Sequence, residues 1–157
     1  SHTKVKVQLI MAGVAKLFDG HIINKSKESV DLNDEKYKGK TIGLYFSAHW
    51  CPPCRGFTPV LIEFYKTHSE NKKLEIIFIS SDRDEKAFNE YYEDMPWLAL
   101  DFTDRKKKEE LGKKFNVSGI PTLILLDGDS GDVVCTNARS QIQSEDSKGE
   151  KFPWKSL

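Results

Sequence analysis

The sequence predicts an α/β fold in which helices flank a central mixed β-sheet. Two segments, residues 74–80 and 122–126, have the nearly continuous apolar composition of strands that are buried on both faces. Apolar residues at helical spacing before and after the first segment indicate that strands and helices alternate. A turn at residues 127–131, rich in Asp and Gly, then leads into another short strand, as in an antiparallel hairpin.

Length and composition are typical of a single globular domain. The chain has 157 residues, 38% of them hydrophobic and 31% charged, which is enough to bury a core without disulfide staples. Lys plus Arg (24) balances Asp plus Glu (24), so charge indicates neither nucleic acid nor a membrane surface as a partner. No segment reaches the roughly 18 apolar residues of a membrane-spanning helix. Three cysteines do not form a secreted disulfide framework, so we expect a reducing compartment, the cytoplasm or also the nucleus. We further expect a monomer.

The first ten residues are expected to lie outside the domain. Two lysines precede an apolar stretch as in a signal peptide, but Gln8 interrupts that stretch. We therefore expect Met11 to be the natural start. Residues 1–10 would be a remnant of recombinant expression or a disordered terminus, and residues 11–157 one domain.

The segment before the first long strand carries mixed signals. Residues 14–18 predict a short helical turn, and residues 21–23 and 29–32 predict short strands with polar residues between them. A turn at residues 37–40 then leads into a strand at residues 42–46.

A Cys-X-X-Cys pair, Cys51 and Cys54, stands between this strand and a predicted helix that extends to about residue 71. In that context the pair is typical of a redox motif. A thiolate is the nucleophile in disulfide exchange, and a helix N-terminus favours the anion through its unpaired N–H groups and positive dipole end. The helix is predicted from the apolar residues Phe57, Val60, Leu61, Phe64 and Tyr65.

Zinc binding and a structural disulfide are the alternatives for this pair. Cys-X-X-Cys is half of many zinc sites, but only one further cysteine exists and the four histidines show no ligand spacing. A disulfide between residues so close in sequence restrains the unfolded chain little, because its stabilisation grows with loop length. We therefore expect redox chemistry, no metal and no other bound cofactor.

The remainder of the chain continues the alternation. Residues 84–94 predict a helix whose apolar face holds Phe88, Tyr91, Tyr92 and Met95. Cys135 is interpreted as a small core residue. The other predicted elements are a connection at residues 97–102, a charged helix at 106–115, a strand at 132–136 and a final helix at 138–144.

The chain resembles the thioredoxin superfamily and, within it, the tryparedoxin and nucleoredoxin branch. The resemblance covers most of residues 13–157 and implies a single domain with a thioredoxin-like fold. It rests on Trp50-Cys51-Pro52-Pro53-Cys54-Arg55, Phe57-Thr58-Pro59, Met95-Pro96-Trp97-Leu98-Ala99-Leu100, Val117-Ser118-Gly119-Ile120-Pro121-Thr122-Leu123, Asn137-Ala138-Arg139 and Phe152-Pro153-Trp154.

The resemblance implies a role for each residue of the Cys-X-X-Cys motif. Cys51 would be the exposed attacking thiolate, and Cys54 would be the resolving thiol that releases the product. Trp50 would shape the surface beside Cys51. From the motif itself, we expect Pro52 and Pro53 to change the start of the helix and to support the site.

A second implied part of the site is Ile120-Pro121. Pro121 would be a cis-proline that faces the disulfide, and the Ile120 backbone would pair with an incoming substrate strand.

The sequence departs from the patterns of related families at two places. Tyr45 stands where thioredoxins usually carry a buried aspartate, so the proton of Cys54 must use water or another group. Ser81-Asp82-Arg83 replaces the Trp-Asp-Glu of tryparedoxins, which argues against trypanothione as the partner and for a nucleoredoxin-like relative.

The predicted function is that of a dithiol–disulfide oxidoreductase that reduces protein disulfides. Its electrons would come ultimately from NADPH through a reductase or a low-molecular-weight thiol. The alternative is a redox-sensitive, nucleoredoxin-like binding protein that holds a signalling protein and releases it on oxidation. Both hypotheses use Cys51 and Cys54.

Overall fold

A six-stranded mixed sheet forms the centre of the computed structural model, which describes residues 13–155. The predictions for residues 1–10 and Met11 lie outside the described residues. The strands are β1 (Ile22–Ile23), β2 (Thr41–Ser47), β3 (Leu74–Ser80), β4 (Leu98–Leu100), β5 (Thr122–Asp127) and β6 (Val133–Cys135). The helices are α1 (Gly13–Phe18), α2 (Pro52–His68), α3 (Glu85–Tyr92), α4 (Arg105–Lys114) and α5 (Ala138–Ser140), with a 3-10 helix at Glu35–Tyr37 and a π-helical turn at Gln141–Glu145.

The strand order is β1-β4-β3-β2-β5-β6. β3 runs parallel to both β2 and β4, whereas the β1–β4, β2–β5 and β5–β6 pairs are antiparallel. The predicted mixed sheet is therefore confirmed. Ser47 lies opposite Ser80 where β2 and β3 end, so the loops after both strands emerge at the same edge of the sheet, where α/β proteins place their sites.

The two faces of the sheet bury separate hydrophobic clusters. Because successive strand residues point to opposite faces, Tyr45 packs in the cluster of Phe57, and Phe46 packs in the cluster of Leu111. Helices α2 and α3 cover the first face, and α1 and α4 cover the second. All of β3 is buried, as its apolar composition predicts. No helix within residues 13–155 is long and apolar enough to span a membrane.

Two element predictions were wrong. Residues 97–102, predicted as a connection, contain β4, which is too short for a hydrophobic period to reveal. Residues 29–32, predicted as a strand, contribute one isolated bridge to β1. The backbone turns away there because the Asp31 carboxylate accepts a hydrogen bond from the Asn33 N–H at 2.9 Å. The final helix at residues 138–144 is present, but it widens from α5 into the π-helical turn.

Candidate active site

The Cys-X-X-Cys motif forms the start of α2, as the sequence predicts. Cys51 is the residue that caps the helix, with an extended backbone at φ −97° and ψ 110°. Pro52 and Pro53 occupy the first two helical positions, which tolerate proline because N–H groups there have no partner within the helix. The first N–H of the helix therefore belongs to Cys54. Cys51 lies outside the first turn and Cys54 within it.

The two thiols lie side by side but differ in access to solvent. Cys54 Sγ is 2.6 Å from Cys51 Sγ, and neither is bonded to another cysteine. Cys51 is 5% exposed and Cys54 is fully buried. The expectation of an exposed Cys51 was therefore wrong, because its side chain packs against Ala48 and Ile120. Of the pair, only Cys51 retains any exposed surface.

The environment of Cys54 keeps it protonated at neutral pH. Burial and the hydrogen bond with Cys51 raise the pKa of the Cys54 thiol to about 11. The Ser47 hydroxyl and the Ala48 backbone oppose that rise in pKa. Cys54 can therefore act as a nucleophile only when a step in the reaction removes its proton.

The Ile120–Pro121 segment meets the motif across the fold. The Ile120–Pro121 peptide bond is cis, as expected from the resemblance, and the Phe152–Pro153 bond is also cis, which the sequence did not predict. The Ile120 carbonyl oxygen lies 3.8 Å from Cys51 Sγ, so two residues distant in sequence become neighbours in the site.

Trp50 is held beside the thiols by the loop that follows β3. Its side chain is 50% exposed, and its indole N–H donates to the Ser81 carbonyl at 3.0 Å. The Arg83 guanidinium lies 5.5 Å from the Trp50 ring. The buried Asp82 carboxylate accepts from the His49 backbone N–H at 2.7 Å and so ties this loop to the motif. The sequence singled out residues 81–83 as a departure, but their contact with Trp50 is visible only in the structure.

A groove of about 690 Å³ opens beside Trp50 and Ile120. Pro52 and Pro53 are exposed outside this groove. Most of the other lining residues belong to α4 and the loop that follows it. They are Lys108, Glu109, Gly112, Lys113, Asn116, Val117, Ser118 and Gly119.

A cluster of buried hydroxyl groups lies behind Cys54. It consists of Tyr45, Ser47, Thr58 and Tyr91, which are joined by hydrogen bonds. Tyr45 and Ser47 alternate along β2, so their shared face was predictable, whereas Tyr91 was interpreted only as part of an apolar face. Within residues 13–155, no group of three or more His, Cys, Asp or Glu side chains could hold a metal ion.

Comparison with known proteins places this site in a family. A family model described as thioredoxin-like matches residues 39–133. The chain belongs to this thioredoxin-like family. Tryparedoxin of Trypanosoma brucei brucei is 50% identical over 146 residues, which cover 92% of this chain and 99% of that protein. Nucleoredoxin of Bos taurus is 45% identical over 125 residues, but these are 78% of this chain and 28% of that protein.

Solved structures agree with the family assignment. Tryparedoxin II from Crithidia fasciculata superposes with a TM-score of 0.87 at 43% identity and covers 92% of this chain and 95% of its own. Tryparedoxin II in complex with glutathionylspermidine gives a TM-score of 0.86 at 42% identity, covering 92% of this chain and 99% of its own. The predicted thioredoxin-like fold is confirmed, and the chain is a member of a family of thiol oxidoreductases.

Proposed function

We propose that this chain reduces disulfide bonds in proteins, with Cys51 as nucleophile and Cys54 as resolving thiol. The observation that carries the proposal is the asymmetry of the pair. The sulfurs lie 2.6 Å apart, yet only Cys51 retains surface exposure. A reachable nucleophile with a protected partner beside it is the arrangement that two-step disulfide exchange requires.

The reaction proceeds through one mixed disulfide. The Cys51 thiolate attacks a substrate disulfide, a Cys51–substrate S–S bond forms, and the departing substrate sulfur takes up a proton. Cys54 then attacks Cys51 Sγ, the Cys51–Cys54 bond forms, and the second substrate sulfur leaves as a thiol. Two electrons have passed to the substrate, and the protein disulfide must be reduced before the next cycle.

Neighbouring groups supply the surface on which an extended substrate segment would lie. The Ile120 carbonyl beside Cys51 Sγ is an acceptor for a substrate backbone N–H, as in strand addition. Pro121 carries no N–H, so it offers no competing donor. The half-exposed Trp50 ring provides an apolar wall, and Pro52 and Pro53 present exposed surface at the helix start.

Regeneration requires a donor that the chain itself does not contain. We propose a reductase or a low-molecular-weight thiol, with NADPH as the ultimate source and no bound cofactor. The complex of the relative tryparedoxin II with glutathionylspermidine supports the second class of donor. A cycle of this kind operates in a reducing compartment, which favours the cytoplasm and also permits the nucleus.

Insulin reduction with dithiothreitol as donor tests the proposal. The wild-type protein should accelerate the appearance of reduced insulin chains, and Cys51→Ser should abolish the acceleration. If wild type and Cys51→Ser accelerate the reaction equally, Cys51 is not the nucleophile and the proposal fails.

A second candidate function is a redox-sensitive binding protein that holds a signalling protein. The similarity to nucleoredoxin and the half-exposed Trp50 beside the groove favour it. A bound partner should then remain with Cys51→Ser, be released on oxidation of the wild type, and weaken with Trp50→Ala. A complex that is lost with Cys51→Ser would instead be a trapped substrate.

A further inference from the structure

A tight turn delivers Cys51 from the end of β2 to the start of α2. The Cys51 N–H donates to the Ala48 carbonyl at 3.3 Å, so His49 and Trp50 are the two central residues of the turn. The hydrogen bond that closes such a turn does not use the N–H of its first central residue, His49. That N–H therefore takes its partner from elsewhere in the fold.

Asp82, in the loop that follows β3, is this partner. One oxygen of its carboxylate accepts from the His49 N–H at 2.7 Å, and the other accepts from the Ser80 hydroxyl at 2.7 Å. Ser80 Oγ in turn accepts from the Asp82 N–H at 2.9 Å. Asp82 is only 5% exposed. Burial of a carboxylate is costly unless it is hydrogen-bonded, and here both oxygens are used.

Two further contacts join the same loop to the turn, but neither depends on a side chain of the loop. The Ser81 N–H donates to the Ser47 carbonyl at 2.9 Å, and the Ser81 carbonyl accepts from the Trp50 indole N–H at 3.0 Å. Both use the Ser81 backbone, which any residue except proline provides. Of these three contacts, the one from Asp82 is therefore the one that requires a particular residue type.

Arg105, at the start of α4, fixes the loop in turn. Its guanidinium donates to the Ser80 carbonyl at 2.7 Å. Burial lowers the pKa of Arg105, and the negative charge of Asp82 opposes that fall. Asp82 is thus held by the Ser80 hydroxyl and by the charge of Arg105, which gives it a fixed position from which to hold His49.

We propose that Asp82 is a positioning residue, which fixes the turn at residues 48–51 and thereby the placement of Cys51 and Trp50 toward a substrate disulfide. The inference rests on the proposed function. A protein disulfide must meet the Cys51 sulfur and the Trp50 ring together, and a displacement of about 1 Å can cost about 100-fold in rate. Asp82 acts through the His49 backbone and takes no part in making or breaking bonds.

Three variants separate the hydrogen bond from the charge and from local stability. Asp82→Ala removes both accepted hydrogen bonds. Asp82→Asn removes the charge but keeps an oxygen for the His49 N–H, and its NH₂ group can donate to Ser80 Oγ. Asp84→Ala is the matched control. The Asp84 carboxylate also accepts a backbone N–H, that of Ala87 at 2.8 Å, but this N–H belongs to α3.

Insulin reduction with excess dithiothreitol should respond to loss of the hydrogen bond. At low insulin concentration the rate, which reports kcat/KM, should fall by about 10- to 100-fold in Asp82→Ala. It should stay close to wild type in Asp82→Asn and Asp84→Ala.

Alkylation shows whether the fold is intact. Iodoacetamide needs no positioned protein surface, so it should label Cys51 at a rate close to wild type in all three variants, with Cys54 and Cys135 still protected. A variant that merely loosens the fold would instead expose both buried thiols.

Fluorescence quenching by acrylamide gives a readout that does not depend on activity. Trp50 is 50% exposed, whereas Trp97 is 1% and Trp154 is 2% exposed, so a quencher in solution reports mainly on Trp50. The quenching constant should rise in Asp82→Ala, because the turn loses the carboxylate that holds it. It should keep the wild-type value in Asp82→Asn and Asp84→Ala.

Three results would overturn the proposal. The first is a wild-type insulin rate and quenching constant in folded Asp82→Ala. The second is an Asp82→Asn variant as impaired as Asp82→Ala, because the charge and not the hydrogen bond would then matter. The third is an equal loss in Asp84→Ala.

Two further arrangements keep the test decisive. If Asp82→Ala does not fold, Asp82→Leu takes its place, because leucine has a similar branched shape, lacks an acceptor and is readily buried. If the wild-type protein does not reduce insulin, the proposed function fails, whereas the quenching comparison still decides whether Asp82 holds the turn.

Discussion

Cys54 and Cys135 are both buried thiols, yet their surroundings give them different chemistry. Cys54 is fully buried and Cys135 is 1% exposed, and burial raises the pKa of both. Cys54 has the sulfur of Cys51 at 2.6 Å, whereas the Cys135 thiol donates to the Asn137 amide oxygen at 3.1 Å. Burial alone therefore produces a protonated thiol of low reactivity. Cys54 differs in having a second sulfur beside it, and the proposed resolving role depends on that neighbour.

The comparison predicts its largest effect for Cys54→Ser. Without a resolving thiol the mixed disulfide on Cys51 cannot be released internally, so insulin turnover should fall by about 10⁴-fold or more, as for other catalytic groups. Mass spectrometry of the stalled protein should find substrate attached to Cys51. Attachment to Cys135 in this variant would contradict the roles proposed for the two buried thiols.

Alkylation rates should also distinguish Cys51 from the buried thiols Cys54 and Cys135, with a smaller effect. At pH 7 the thiolate fraction of Cys54 is about 10⁻⁴ for a pKa about four units higher, and burial shields Cys54 and Cys135 alike. Iodoacetamide added to the reduced native protein should modify Cys51 faster than Cys54 or Cys135, because burial covers these two thiols and raises the pKa of both. Peptide mapping after a short pulse measures the ratio. Rapid labelling of Cys135 in the folded protein would show that burial does not protect it.

Cys135→Ala should affect stability and not chemistry. Removing a buried sulfur from the core leaves a small cavity, which should cost about 1–2 kcal/mol in the free energy of unfolding. Denaturant titration measures that cost, and the insulin rate should stay within about twofold of wild type because Cys135 packs in a different cluster from Cys51 and Cys54. Loss of most activity in the folded variant would require a third cysteine in the mechanism.

The smallest expected effect is on the pH dependence of stability. Because the folded-state pKa values of Cys54 and Cys135 are raised, the folded protein holds their protons at alkaline pH while the unfolded chain releases them. The stability present below the unfolded-state pKa should therefore decline as pH rises above it. Cys135→Ala should make this alkaline decline in the free energy of unfolding shallower. A steeper decline in the variant would mean that Cys135 is not protonated in the folded state.

Much of the fold follows from local pattern. The continuous apolar run of β3 predicted a strand buried on both faces. The apolar spacing after Cys54 predicted a helix, because a helix places those side chains on one face that can be buried. The short strand β4 was missed because its three residues have no period, and it is defined by hydrogen bonds to β1 and β3.

The sequence by itself predicted the candidate redox pair. Cys51 caps α2 and Cys54 lies in its first turn, so the two are neighbours wherever that helix lies, and their proximity is a local property. Only the tertiary structure decided what surrounds them. The Ile120 carbonyl beside Cys51, the loop that holds Trp50, and the hydroxyl cluster that joins Ser47 to Tyr91 all bring together residues from separate elements. Their positions depend on the packing of α2 and α3 against the sheet, and no local pattern encodes how helices and strands meet.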